Sequence, residues 1–129
     1  MKSLILGSAQ FGMNYGINNI DQRIKLSEIK SILNFAKESQ LDTIDTAISY
    51  NDSEKVLGNI GVENFKVISK LPKLPNDISD VNIWVRNQAI SSINRLNVNS
   101  LHGLLLHYPS DLVGSNGSKL KKALNDLKS

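Results

Sequence analysis

The chain has 129 residues, of which 40% are hydrophobic and 21% are charged, and its formal net charge is +3. This composition is typical of a soluble globular protein and predicts a single domain over residues 1–129. The apolar runs are far shorter than the ~20 residues of a membrane-spanning helix. The amino terminus also lacks the long apolar core of a signal peptide. A cytoplasmic location without a membrane partner is therefore expected.

The sequence offers little to a metal ion or to a nucleic acid. It contains no cysteine and two histidines, His102 and His107, so neither a thiolate site nor a histidine-built metal site is expected. The lysines are scattered along the chain, apart from a small group at residues 119–122. Such scattered charge favours a solvated surface over a nucleic-acid interface.

Apolar periodicity predicts four strands, each followed by a helix. A long loop rich in glycine and asparagine follows the first strand. Ser53 and Ser118 are expected to cap the second and fourth helices. The predicted elements, in chain order, are a strand at Leu4–Ser8, a helix from Leu26 to about Ser39, a strand at Thr43–Asp45, a helix from Ser53 to about Asn59, a strand at Lys66–Lys70, a helix at Asp80–Leu96, a strand at Leu101–His107 and a last helix from Ser118.

The third predicted helix has an apolar stripe that we expect to face the core. Its members are spaced roughly by helical turns, and Trp84 beside them is expected to pack rather than to bind a ligand. The expected stripe comprises Ile83, Ile90, Ile93 and Leu96.

The alternation of strands and helices requires parallel strands. Two architectures fit: an open doubly wound sheet and the first half of an eight-stranded barrel. The segment after the first strand, GSAQFGMNYG, lacks the GxGxxG pattern of an open-sheet dinucleotide site. In a barrel, by contrast, all strand ends surround one mouth, and a complete barrel takes ~250 residues. The sequence therefore predicts an α/β fold, a partial (β/α)8 barrel of about four βα units.

Four titratable side chains follow or end three successive strands: Asp45, Tyr50, Lys70 and His107. Taken singly, each has a structural explanation as a cap, a loop aromatic, a solvated strand end or a hydrogen-bonded loop residue. Together they suit proton transfer. A phenol has an unperturbed pKa of ~10, a nearby ammonium favours the phenolate, and a carboxylate can hold that ammonium. The set fits protonation of a carbonyl oxygen while another group delivers hydride to the carbon.

Four segments, in this order, resemble the aldo-keto reductase family: LGSAQFG, DTAISYNDSEKVLG, VISK and LLLHYP. The resemblance covers nearly the whole chain. It implies an eight-stranded βα barrel that reduces aldehydes or ketones with NADPH and without a metal. It also implies the roles of single residues, namely Tyr50 as general acid, Lys70 and Asp45 as the groups that tune it, His107 as the residue that orients the carbonyl, and Gly7, Ser8, Ala9 and Asp45 as the residues near the nicotinamide.

The sequence departs from the family pattern in two ways. Asn51 follows the tyrosine where many members have glycine, and we expect little consequence because asparagine tolerates a left-handed backbone. The chain also stops in its fourth helix, which predicts the truncated N-terminal half of a barrel. Such a half leaves open sheet edges that favour self-association. We expect this chain alone neither to bind NADPH tightly nor to turn over.

The residue pattern leaves two other functions open. Lys70 could serve as the Schiff-base amine of a lyase or aldolase, because a desolvated strand-end lysine suits that chemistry. Alternatively, the chain could be a non-catalytic fragment that associates with itself. The partner that the resemblance implies for the reductase is a small carbonyl substrate, with NADPH as the cofactor.

Overall fold

The computed structural model describes residues 4–13 and 24–128, in which four short strands alternate with helices. None of the helices in these two stretches is long and apolar enough to span a bilayer. The elements, in chain order, are β1 (Leu6–Gly7), α1 (Ala9–Gly12), α2 (Leu26–Glu38), β2 (Thr43–Asp45), α3 (Ser53–Ile60), β3 (Lys66–Leu71), α4 (Val81–Leu96), β4 (Gly103–Leu106), a 3-10 turn (Pro109–Leu112) and α5 (Gly117–Asp126).

The four strands form one sheet in the order β1-β2-β3-β4, and each neighbouring pair is parallel. The register sets Gly7 opposite Asp45, Asp45 opposite Ile68, and Ile68 opposite Gly103. A doubly wound sheet reverses its strand order at a switch point, whereas these strands follow one another in a single direction. The partial barrel is therefore confirmed and the open doubly wound sheet is not observed.

Successive side chains along each strand alternate between two faces of the sheet. The outer face packs against the helices and contains Leu6, Ile44 and Val67 in one core cluster and Leu71 in a second. The inner face is the opposite one, and it contains Ile5, Gly7, Asp45, Ile68, Lys70, Gly103 and Leu105 by the same alternation. Asp45 and Lys70 therefore both project from the side that faces away from the helices.

The buried face of α4 differs from the one that the apolar pattern predicted. Ile83 and Ile90, expected in the core, are 58% and 49% exposed. The observed face follows a spacing of four, four, three and four residues and includes a small and a polar side chain, which a count of large aliphatic residues overlooks. It comprises Val81, Val85, Ala89, Ser92 and Leu96. Trp84 packs against the second core cluster, as predicted.

Three local predictions also need correction. The N-cap positions of α3 and α5 are Asp52 and Asn116 rather than Ser53 and Ser118. The segment after β1, predicted as a loop, begins with the short helix α1, which packs against α3. The rest of that predicted loop, residues 14–23, lies outside the described residues.

An acid and a lysine pair across β2 and β3 at both ends of the strands. At the amino end, Lys66 Nζ lies 2.7 Å from Asp42 Oδ2 in an exposed position. The hydrogen bond from Lys66, with a second from the Thr43 hydroxyl, lowers the pKa of Asp42 below its usual value. Exposed pairs of this kind contribute little to stability. The pair at the carboxyl end is the more sheltered one and belongs to the candidate site.

Candidate active site

Lys70 and Asp45 form an ion pair on the inner face, at the carboxyl ends of β3 and β2. Lys70 Nζ lies 2.6 Å from Asp45 Oδ2 and donates a second hydrogen bond to the Thr46 carbonyl at 2.9 Å. The two side chains are 15% and 32% exposed. Because the strands are neighbours and parallel, the two residues meet across one strand gap. The ammonium is thus held in a defined position by a carboxylate and a carbonyl.

Tyr50 and His107 lie beside this ion pair. Lys70 Nζ is 5.1 Å from the centroid of the Tyr50 ring, a distance at which a cation is attracted to an aromatic ring. The His107 ring meets the Tyr50 ring edge-on, with centroids 5.7 Å apart and an interplanar angle of 89°. The structure therefore brings together all four side chains that the sequence singled out, at the carboxyl ends of three neighbouring strands.

A tight turn between β2 and α3 carries Tyr50 over the strand ends. The Tyr50 amide donates to the Ala47 carbonyl at 3.1 Å, and the Ser53 amide donates to the Tyr50 carbonyl at 3.0 Å. Asn51 adopts a left-handed backbone with φ of 48°, a conformation that asparagine accepts more readily than most residues. Asn51 therefore adopts the left-handed conformation at the position where many aldo-keto reductases have glycine.

Three fully buried hydroxyl groups tie this turn to the sheet. Ser53 Oγ lies 3.0 Å from Ser8 Oγ and 3.1 Å from Thr46 Oγ1, and it donates to the Ser8 carbonyl. Ser8 Oγ in turn donates to the Asp45 carbonyl at 3.0 Å. This hydroxyl cluster joins the ends of β1 and β2 to the start of α3. The sequence interpretation missed it because a serine before a helix suggests a cap.

A second buried network lies behind the site, on the outer side of β3. Glu54 on α3 is 1% exposed, and its carboxylate accepts hydrogen bonds from Ser69 Oγ at 2.7 Å, from Ser92 Oγ, and from Arg95 Nε at 2.7 Å. Ser69 directly precedes Lys70, and Glu54 follows Tyr50 by four residues. This Glu54 network therefore links the elements that carry two of the candidate site residues, and the sequence interpretation did not identify it.

Gly12 allows α1 to approach the Tyr50 turn closely. A Cβ atom there would lie 2.0 Å from the Ser53 amide nitrogen and 2.6 Å from the Tyr50 carbonyl oxygen. We expect Gly12→Ala to destabilise the protein by about 1–3 kcal/mol, because backbone atoms have to move. Urea unfolding measures this, with Gly114→Ala as a control, whose nearest contact would be an ordinary 3.7 Å. Equal unfolding midpoints for the two variants would contradict the expectation.

The predicted cofactor residues have unequal environments. Gly7 lies opposite Asp45, and a Cβ on Gly7 would meet nothing within 4 Å, so the inner face has open space beside the carboxylate. Ser8 is fully buried with its hydroxyl engaged inside the protein, and Ala9 begins α1. His107 Nδ1 is buried without a hydrogen-bond partner among the described residues. These features fit the flat nicotinamide end of a cofactor.

Residues 4–13 and 24–128 contain no cluster of three or more histidine, cysteine or acidic side chains that could hold a metal ion. The site groups that the structure does assemble are an acid, an ammonium, a phenol and an imidazole. Such a set suits proton transfer through side chains.

Comparison with known proteins supports the fold assignment. No protein-family model matches the chain, and no curated protein matches it significantly in sequence. It is similar to two solved structures from Pseudomonas aeruginosa named as aldo-keto reductases, with TM-scores of 0.74 and identities of 23% and 24%; each match covers 96% of this chain and 51% or 48% of the other. It is also similar to a thermostable aldo-keto reductase solved with the inhibitor epalrestat, with a TM-score of 0.63, 19% identity, and coverage of 98% of this chain and 46% of the other.

The chain spans about half the length of each of these structures. That coverage is consistent with the predicted N-terminal half, since the strand order starts at one edge and runs in sequence to the other. This protein therefore has the fold of about half of an aldo-keto reductase barrel.

Proposed function

We propose that this chain carries the proton-donating part of an NADPH-dependent reductase that converts an aldehyde or a ketone to an alcohol. The observation that carries the proposal is the position of the Lys70 ammonium. It lies 2.6 Å from the Asp45 carboxylate and 5.1 Å from the centroid of the Tyr50 ring. A half-barrel fold shared with solved aldo-keto reductases supports the same conclusion.

In this proposal, Tyr50 gives its hydroxyl proton to the carbonyl oxygen of the substrate. The Lys70 ammonium stabilises the phenolate that remains, because an opposite charge nearby favours the ionised form. Asp45 and the Thr46 carbonyl fix the ammonium before the reaction starts, so little reorganisation is needed as charge develops. His107, edge-on to Tyr50, orients the substrate oxygen toward the phenol.

NADPH, when bound, would supply the hydride that adds to the carbonyl carbon. We propose that Gly7, Ser8, Ala9 and Asp45 border its nicotinamide ring, with the open space beside Gly7 receiving the ring. Ser8 contributes by fixing the backbone of Asp45 through its hydroxyl. Among residues 4–13 and 24–128, His107 Nδ1 is buried without a hydrogen-bond partner, and leaving such a group unsatisfied costs about 1–3 kcal/mol.

The alternative of a Schiff-base enzyme rests on Lys70 as a nucleophilic amine. A Schiff-base amine needs its nitrogen free to reach the substrate carbonyl, whereas Lys70 Nζ is held by the Asp45 carboxylate at 2.6 Å and by the Thr46 carbonyl at 2.9 Å. The environment of Lys70 therefore supports the reductase rather than the lyase or aldolase. Borohydride treatment in the presence of a keto substrate distinguishes them, since only an imine leaves a covalent adduct.

The proposal is tested by adding the half of the barrel that this chain does not contain. This chain alone is expected to show no saturable binding of NADPH at micromolar concentrations by fluorescence titration. A fusion to the unmatched half of one of the Pseudomonas aeruginosa structures is expected to bind NADPH and to reduce aldehydes from a small panel. A folded fusion that binds NADPH and reduces none of them would count against the reductase. Tight NADPH binding by this chain alone would overturn the expectation that its cofactor site is incomplete.

A further inference from the structure

The described sheet ends in two strands that each have one partner, β1 on one side and β4 on the other. An open strand edge presents unpaired amide and carbonyl groups to which another strand can bind. The solved structures that share this fold are about twice as long as the chain. In these longer structures, further strands complete the barrel of which the four strands described here form a part.

The open edge at β4 borders an apolar groove with a volume of about 1010 Å³ between β4, α4 and α5. In a (β/α)8 barrel, each helix packs over the strand that precedes it and the strand that follows. The groove therefore lies where a strand paired with β4 would be covered by α5. Leu101 and Leu104 line it beside the strand, Leu124 and Leu127 line it from α5, and polar side chains such as His102 and Lys121 border it.

The open edge at β1 presents apolar side chains to both faces of the sheet. Leu6 packs against the core beneath α2. Leu4 lies two residues earlier, on the same face by strand alternation, and is 69% exposed. Ile5 lies on the inner face and is 53% exposed, much like Leu105 at the other edge, which is 49% exposed. Each edge thus leaves an apolar inner-face side chain unburied.

We propose that two copies of this chain join edge to edge into a closed eight-stranded barrel, with β1 of each copy beside β4 of the other. A two-fold axis along the barrel keeps all eight strands parallel, and this single rotation pairs both open edges at once. Leu4 then enters the groove of the partner, and Ile5 meets the partner's Leu105 inside the barrel. Both candidate sites lie at one mouth, because all carboxyl ends point the same way.

This assembly does not depend on the proposed reductase activity, so its test needs no substrate. Sedimentation velocity should show one species with twice the 14.2 kDa mass of the chain. The native sequence has no cysteine, so the double variant Ile5→Cys with Leu105→Cys should form a covalent dimer under mild oxidation. Within one copy these two positions are separated by two intervening strands, about 14 Å, which is too far for an internal disulfide.

The matched control is the double variant Phe35→Cys with Ile83→Cys, at positions on the outer helices that are 68% and 58% exposed. It should stay largely uncrosslinked. A chain that sediments as a monomer overturns the proposal. So does a broad aggregate in which both cysteine pairs crosslink equally.

A charge placed where β4 of one copy meets β1 of the other gives a second test, in which association is reversible. Leu105→Glu should raise the dissociation constant of the dimer about tenfold or more, because burying an unpaired carboxylate between the strands is unfavourable. Ile83→Glu, at an outer-helix position that is 58% exposed against 49% for Leu105, should leave the constant unchanged. Circular dichroism verifies that both variants fold. Equal dissociation constants for a folded Leu105→Glu variant and the native chain would refute the edge-to-edge arrangement.

Discussion

Tyr50→Phe, introduced into the completed barrel, should lower the rate of NADPH-dependent carbonyl reduction by about 10²–10⁴-fold, the usual contribution of a general acid. The ring that contacts Lys70 and His107 remains, and only the hydroxyl group is lost. The affinity for NADPH should therefore change little. Steady-state kinetics measures kcat and KM, and fluorescence titration measures cofactor binding in the same preparation.

Tyr108→Phe is the matched control for this variant. This substitution removes a hydroxyl from a neighbouring ring, which is 46% exposed and whose centroid lies 5.5 Å from that of the His107 ring. The kcat of Tyr108→Phe should stay within about threefold of the native value. This corresponds to a change of about 0.65 kcal/mol in the activation free energy, since a tenfold change corresponds to about 1.36 kcal/mol. If Tyr50→Phe retains turnover with its fold intact, another group donates the proton and the assignment of Tyr50 fails.

Glu54→Met should destabilise the chain by about 3 kcal/mol, near the lower end of the range for breaking a buried ion pair. The carboxylate is 2% exposed and accepts the Arg95 hydrogen bond at 2.7 Å, whereas Arg95 keeps 28% exposure and is partly hydrated when it is left alone. Two serine hydroxyls also lose their acceptor. Urea unfolding at equilibrium measures the change in the free energy of unfolding.

Two comparisons show whether Glu54→Met acts by leaving a buried charge unpaired or simply by removing a contact. Lys122→Met breaks an exposed pair with Asp126 one helical turn away and should cost less than about 0.5 kcal/mol. The double variant Glu54→Met with Arg95→Met should be more stable than Glu54→Met alone, because it removes the orphaned guanidinium. A double variant that is less stable than the single one would contradict a desolvated charge as the cause.

The parts of the fold that could be predicted depend on short-range patterns and on parallel topology. Thr43–Asp45 has the bounds expected from its β-branched run. Lys70 and His107 lie together because the carboxyl ends of neighbouring parallel strands share one edge of the sheet. The grouping of the four site residues followed from that rule, whereas their catalytic roles stay predictions until the substitutions are made.

The parts that could not be predicted depend on which partner a side chain selects in three dimensions. Ser53 can cap a helix locally, but it bonds instead to Ser8, which is 45 residues away in sequence. Glu54 looks like a charge in an exposed first turn, although Ser92 and Arg95 from a later helix enclose it. In α4, the small residue Ala89 and the polar residue Ser92 both lie on the buried face, and the Ser92 hydroxyl donates to the Glu54 carboxylate there.

The two acid and lysine pairs between β2 and β3 place identical chemistry in different surroundings within a few residues. Dissolved ions screen charges at the solvent boundary much more than charges inside a cleft. Raising the ionic strength should therefore loosen the Asp42 and Lys66 end of the strands while the Asp45 and Lys70 end holds its geometry. The exposed Asp42 and Lys66 pair thus provides an internal reference for how strongly the carboxyl ends of the strands shield the Asp45 and Lys70 charges from bulk electrolyte.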